Sequence, residues 1–205
     1  MTQRYKTVFC LCVILGSIAY TAYKFGPHID DSLMPTALLA ETRSATHAGT
    51  ADFLVDSGSF AGNTTYFFVR DSARALGNPI CIGGPYGSDS AIKMQEGVWS
   101  KDGSVIAVRV KVGIPAGHGF RRYDGAFWID AYDFRTHRAV VDGSKLAARS
   151  KAIARLLTQR GGTSTHTLSA PSLVGKSLNA SERRAYIPIE ADYTPLYNSE
   201  AGIKP

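Results

Sequence analysis

The chain has 205 residues, 44% of them hydrophobic and 20% charged, which excludes wholesale disorder and leaves room for one domain with appendages. Its net charge of +6 is local: Gly143 to Ser181 carries Lys145, Arg149, Lys151, Arg155, Arg160 and Lys176 and no acid. The remainder is neutral, which argues against a uniformly basic nucleic-acid binder, and a single cysteine outside the apolar N-terminal stretch (Cys81) rules out a disulfide framework.

The N-terminus pairs Arg4 and Lys6 with an uncharged run, Val8 to Tyr23, closed by Lys24 and followed by Asp30 and Asp31. Positive charge before an apolar run orients the N-terminus to the cytoplasm and the rest of the chain beyond the membrane. Two fates fit. The run from Thr7 reaches the lower length limit of a spanning helix, with Tyr20 and Tyr23 placed as interfacial anchors. Alternatively, Val8 to Leu15 is a signal-peptide core and Ser17-Ile18-Ala19 a cleavage site, giving a secreted protein cut near Ala19. Val8 and Phe9 do not form the small-residue box that a lipid-modified Cys10 requires.

Residues 25–50 read as a linker with one short helix over Thr36 to Arg43, because Pro27, Pro35 and small residues oppose anything longer. From Ala51 the pattern changes to strands: Phe53 to Val55, Thr65 to Val69, Pro79 to Ile82, Val105 to Val112 and Ala126 to Phe134. Ile106, Val108 and Val110 alternate with Arg109 and Lys111. In the last strand Phe127, Ile129, Ala131 and Asp133 are set against Trp128, Asp130, Tyr132 and Phe134. Turns are expected at Asp56-Ser57-Gly58, Gly83-Gly84-Pro85, Lys101-Asp102-Gly103 and at Gly113, Gly117 and Gly119. Ser144 to Arg160 reads as an amphipathic helix capped by Ser144 and stopped by Gly161-Gly162, with Leu146, Ile153, Leu156 and Leu157 inward. Residues 163–205 read as a surface-wrapping, partly disordered tail, with an edge strand at Tyr186 to Ile189. The fold class expected is α+β, mainly β: a small antiparallel meander at 51–162 with one C-terminal amphipathic helix, behind an N-terminal transmembrane or signal helix.

Trp99-Ser100-Lys101-Asp102-Gly103-Ser104-Val105-Ile106-Ala107-Val108 resembles the TolB-like β-propeller repeat, whose blades carry a W-S-x-D-G-x-x-I-A signature. Asp102-Gly103 supplies a tight hairpin turn, while Trp99 and Ile106 fill the blade interior. The resemblance spans one blade at most, Gly97 to Val140, and a propeller takes 4–8. It implies a local antiparallel sheet with a binding or scaffolding role, and no ligand residues.

Phe53-Leu54-Val55-Asp56-Ser57-Gly58-Ser59 is similar to the catalytic loop of aspartic proteases, where two aspartates share a proton and activate water. One copy requires a homodimer. Phe60 and Gly62 depart from that family's pattern, and Val112-Gly113 is a feeble partner motif. Asp56-Ser57-Gly58 equally fits a plain strand followed by an Asp-x-Gly turn. His28, His47, His118, His137 and His166 share no metal-ligand spacing, so no metal or other cofactor is expected. His118 sits between Gly117 and Gly119 beside Arg121, Arg122 and Asp124, a set whose chemistry suits acid–base catalysis or anion binding. Gly83-Gly84-Pro85-Tyr86-Gly87-Ser88 lacks the Lys-Ser/Thr of a phosphate loop, and no Gly-x-Ser-x-Gly elbow occurs. Asn63-Thr64-Thr65 and Asn179-Ala180-Ser181 are glycosylation acceptors in a eukaryotic secretory pathway only. Arg149, Lys151 and Arg155 on the basic helix are the interaction residues, for anionic lipid or an acidic protein partner. Two functions follow as expectations. The first is a membrane-anchored or exported binding module, with no nucleic-acid partner. The alternative is a dimeric hydrolase acting through Asp56.

Overall fold

A computed structural model describes residues 35–44, 49–56, 64–74, 78–87, 92–116, 119–140, 145–169 and 175–187 of the chain. It is mainly β: two antiparallel sheets of five strands each. The first sheet holds β1 (Ala37–Arg43), β2 (Gly49–Asp56), β3 (Thr64–Asp71) and β4 (Ile80–Gly87) in consecutive order. The second holds β5 (Ile92–Ser100), β6 (Val105–Ala116), β7 (Gly119–Asp133) and β8 (Arg138–Ala139) in the same way. After helix α1 (Leu146–Gln159), β9 (Thr163–Ser169) joins the second sheet beside β5, and β10 (Lys176–Ser177) joins the first beside β1. Each sheet is thus a four-strand meander whose first strand receives a late partner. Helix α2 (Ala180–Arg184) follows β10.

Strand alternation builds three apolar layers from these sheets. Phe53, Phe67 and Val69 of the first sheet meet Trp99, Ile106, Val108, Val110, Tyr132 and Phe134 of the second in the central core. Phe53 stacks on Phe67 with centroids 5.2 Å apart, and Trp99 on Phe134 at 5.6 Å. On the outer face of the second sheet, Val105, Ala107 and Ala131 pack under Ile153 and Leu157 of α1. On the outer face of the first, Leu54, Tyr66 and Phe68 pack under Tyr186, with Leu38, Cys81 and Leu178 around them.

The expectation of one meander is corrected to two sheets. The expected helix at Thr36 to Arg43 is strand β1, which runs antiparallel to β2 with Glu41 opposite Asp52 and Arg43 opposite Thr50. Residues of high helix propensity, Ala, Leu, Glu and Arg, become a strand because pairing with a sheet edge overrides that weak preference. Strands β5 and β9 arise where none was expected. Ile92-Lys93-Met94-Gln95-Glu96 has weak alternation, and β9 is built from Thr and Ser with no apolar stripe. Gly83-Gly84-Pro85 lies inside β4 rather than at a turn, and Gly113 lies inside β6, whereas Gly119 opens β7 opposite Ala116 where the β6–β7 hairpin closes. The simple alternation of β7 fails at a register shift between Val108 and Arg109 of β6. Ile129 enters the central core with Tyr132 and Phe134, whereas Ala131 turns to the helix side.

Helix α1 has Lys145 as its N-cap, which makes no side-chain capping bond; the expected cap, Ser144, lies outside the described residues. Its end is as expected: Gly161 and Gly162 hold φ of +87° and +89°, a left-handed exit that residues with a Cβ rarely adopt. Tyr186 is no edge strand but a buried plug. The apolar segment Val8 to Tyr23 and residues 188–205 lie outside the described residues. Among the described residues no helix is long and apolar enough to cross a membrane.

Candidate functional site

Strand β3 ends in Phe68-Val69-Arg70-Asp71, and alternation sends these two neighbouring charges to opposite faces. Each lands in a polar cluster. Arg70 points to the outer face of the first sheet, where the cross-strand rows are Arg43–Thr50–Arg70 and Glu41–Asp52–Phe68. Two acids stand directly opposite each other, an arrangement that repels, and the two arginines of the adjoining row offset it.

Asp52 is fully buried, with 0% exposure. Its Oδ2 accepts the Tyr186 hydroxyl at 2.8 Å and lies 3.0 Å from Arg70 Nε. Arg70 also donates through Nη2 to the Tyr186 oxygen, with its guanidinium over the same ring. Asp52 Oδ1 is buried and has no hydrogen-bond partner in the protein. Burial is the largest influence on this carboxyl and raises its pKa, with Glu41 adding to the rise. The Tyr186 bond, Arg70 and Arg43 pull the other way without cancelling it. Burial and Asp52 together push the Tyr186 hydroxyl up to about 12, so it remains a donor.

The Arg70 side chain is 42% exposed and faces two clefts. One of about 270 Å³ is lined by Glu41, Arg43, Thr50, Arg70, Asp71 and Ser72. Thr50 Oγ1 there is buried without a partner in the protein. The other, about 360 Å³, runs towards Asn78, Pro79, Lys176, Leu178, Glu182 and Tyr186. Glu41 and Arg70 line both, so the clefts meet at this pair.

On the inner face, Asp71 is 3% exposed and joins the two sheets. Its Oδ2 accepts Tyr132 Oη at 2.8 Å and His137 Nδ1 at 2.6 Å, and its Oδ1 accepts the Ala73 amide at 3.0 Å. Burial alone would raise the Asp71 carboxyl, but the His137, Tyr132 and Ala73 bonds outweigh it and hold it below the ordinary value. His137 takes φ of +53° at the β7–β8 turn, and its carbonyl accepts Arg74 Nη2 at 2.9 Å.

The residues singled out from the sequence fall elsewhere. Asp56 is the last residue of β2, paired with Thr64. His118 lies outside the described residues. Lys151 and Arg155 are exposed on α1, but Arg149 is turned away from them. Its side chain is 14% exposed, with Nη1 3.6 Å from buried Asp130 and 3.5 Å from the Ile129 carbonyl. Beside it, Ser150 Oγ accepts the Trp128 amide at 3.0 Å, so α1 covers the edge of β7 with its side chains. The three basic residues therefore do not form one surface. The Trp99 to Val108 stretch forms the β5–β6 hairpin, where Asp102 Oδ1 accepts both Ser100 Oγ and Ser104 Oγ at 2.7 Å.

Asp52, Arg70, Asp71, His137 and Tyr186 were not singled out. The available signal was an acid inside an apolar strand, Ala51-Asp52-Phe53-Leu54, which is stable only with a partner. A second was Asn179-x-x-Glu182, a capping box: Asn179 Oδ1 accepts the Ser181 and Glu182 amides at 2.9 and 3.0 Å. Among the described residues no three His, Cys, Asp or Glu side chains are grouped to hold a metal ion. No protein family, curated protein or solved structure matches the chain.

Proposed function

We propose that the chain is a binding module, tethered to or exported across a membrane by its basic-then-apolar N-terminus, that holds a protein partner on the outer face of its first sheet. One observation carries this reading: Arg70 stands half-exposed where two clefts meet, its guanidinium fixed from beneath by buried Asp52 and Tyr186. An arginine oriented before binding loses little entropy when a carboxylate or backbone carbonyl docks on its fork. Glu41 supplies an acceptor beside it, and Leu38, Pro79 and Leu178 give apolar contact. The recognised chemistry is a partner segment carrying an acid next to an apolar side chain.

Arg70→Lys tests it, because lysine keeps the charge facing Asp52 but loses the planar fork. Native complexes extracted from the source membranes should shrink to the size of the lone chain in this variant. Complexes of unchanged size would place the partner elsewhere. The exported placement is tested separately by the intact mass of the native protein in membrane and soluble fractions. Retention of Thr2 to Tyr23 in the membrane fraction marks an anchor, and a soluble chain beginning at Tyr20 marks a cleaved signal.

A further inference from the structure

The C-terminal strap, Lys176 to Ile187, is attached to the first sheet at its two ends. At its start, Ser177 and Lys176 pair with Ala37 and Leu38, and the Leu178 amide donates to the Thr36 carbonyl at 2.9 Å. At its finish, Tyr186 inserts among Leu54, Tyr66 and Phe68, meeting Phe68 edge-on at 5.2 Å. Helix α2 between them buries no residue, and Ile187 beyond is 49% exposed. Tyr186 is the fully buried side chain of the strap, and its hydroxyl sits on Asp52, so closing the strap bears directly on that carboxyl.

Asp52 is a poor place for a negative charge. It has no exposure, its Oδ1 has no partner in the protein, and Glu41 stands across the β1–β2 pair. The groups facing it are Glu41 and Arg43 from β1, Arg70 from β3 and Tyr186 from the strap, with Lys176 and Glu182 lining the cleft beyond. We propose that the strap is a proton-tightened cover, held closed while Asp52 carries a proton and loosened when Asp52 ionises. Lifting Tyr186 admits water to the carboxylate and removes the burial that disfavours its charge. The sign follows from linkage. Burial raises the Asp52 pKa in the closed state, so the closed state binds the proton more tightly than an open one. Falling pH then favours closure and rising pH favours opening, across the interval between the ordinary aspartate value and the raised one.

The test is hydrogen–deuterium exchange on the full chain without any partner, corrected for intrinsic rates. Strap peptides over residues 178–187 are compared with Val105–Val112 of β6. From about pH 4 upward, strap protection should fall by up to about tenfold per pH unit and then level off. Asp52→Asn should make it flat. Glu41→Gln, an exposed change that leaves the core intact, should move the levelling point to lower pH by removing a repelling charge. Tyr186→Phe should reduce protection, by about fivefold where Asp52 is ionised and by less where it is protonated, and should move the levelling point to higher pH. Strap protection that is constant or increases with pH in the wild type overturns the proposal, as does an Asn variant that follows the wild type. Because the readout needs no partner, loss of the binding reading leaves this result standing.

Discussion

Asp71, in the first sheet, accepts the hydroxyl of Tyr132, in the second, at 2.8 Å, so a single buried carboxylate ties the two sheets at one end of their shared core. His137 adds a second bond from the β7–β8 turn. Asp71→Asn should cost about 1–3 kcal/mol, since it leaves buried donors short of a charged acceptor. The Asp71 pKa is lowered in the fold, so its contribution is complete above the ordinary aspartate range and is lost as pH falls through the depressed value. Urea unfolding at a series of pH values should show wild-type stability dropping in acid. The Asn variant, weaker at neutral pH, should converge on it.

Gly97 in β5 faces Phe53 across the core, and a Cβ there would lie 2.5 Å from the Phe53 ring. Phe53 is itself stacked on Phe67 and cannot retreat freely. Gly97→Ala is expected to cost about 1–3 kcal/mol by overpacking, read as a lower midpoint in thermal unfolding. An unchanged midpoint would mean that the sheets separate more easily than this packing implies.

The basic helix offers a comparison of neighbours. Arg149→Ser should destabilise by about 1–3 kcal/mol, because it strips Asp130 of a cation and uncovers the Ile129 carbonyl. Lys151→Ser and Arg155→Ser should stay within about 0.5 kcal/mol of wild type, both being solvated. Equal effects at all three positions would contradict the orientation of α1.

Much of the sandwich was legible. Val105 to Val112 and Thr65 to Val69 alternate or run apolar strongly enough to name themselves, and Gly161-Gly162 marks the end of α1. The second sheet was not legible as separate from the first, because β9 and β10 join it and its companion across long stretches of chain. Thr163 to Ser169 carries no apolar periodicity, since an edge strand of Thr and Ser draws its stability from backbone pairing to β5. The site was hidden for a related reason. Arg70 and Asp52 are adjacent only through the register of β2 with β3, and Tyr186 reaches them from 116 and 134 residues away in sequence. Asp56 and Arg149 drew attention through local pattern alone. Local pattern does not report which charges meet in space.

The most direct test of the binding face is photo-crosslinking in the source cells, with a benzophenone amino acid placed at Asn78 in the groove or at Thr158 on the exposed side of α1. The expected result is an adduct of one discrete mass from position 78, absent at 158 and lost when Arg70→Lys is added. An adduct from position 158 with none from 78 would contradict the groove as the binding face and return the interaction to the helix.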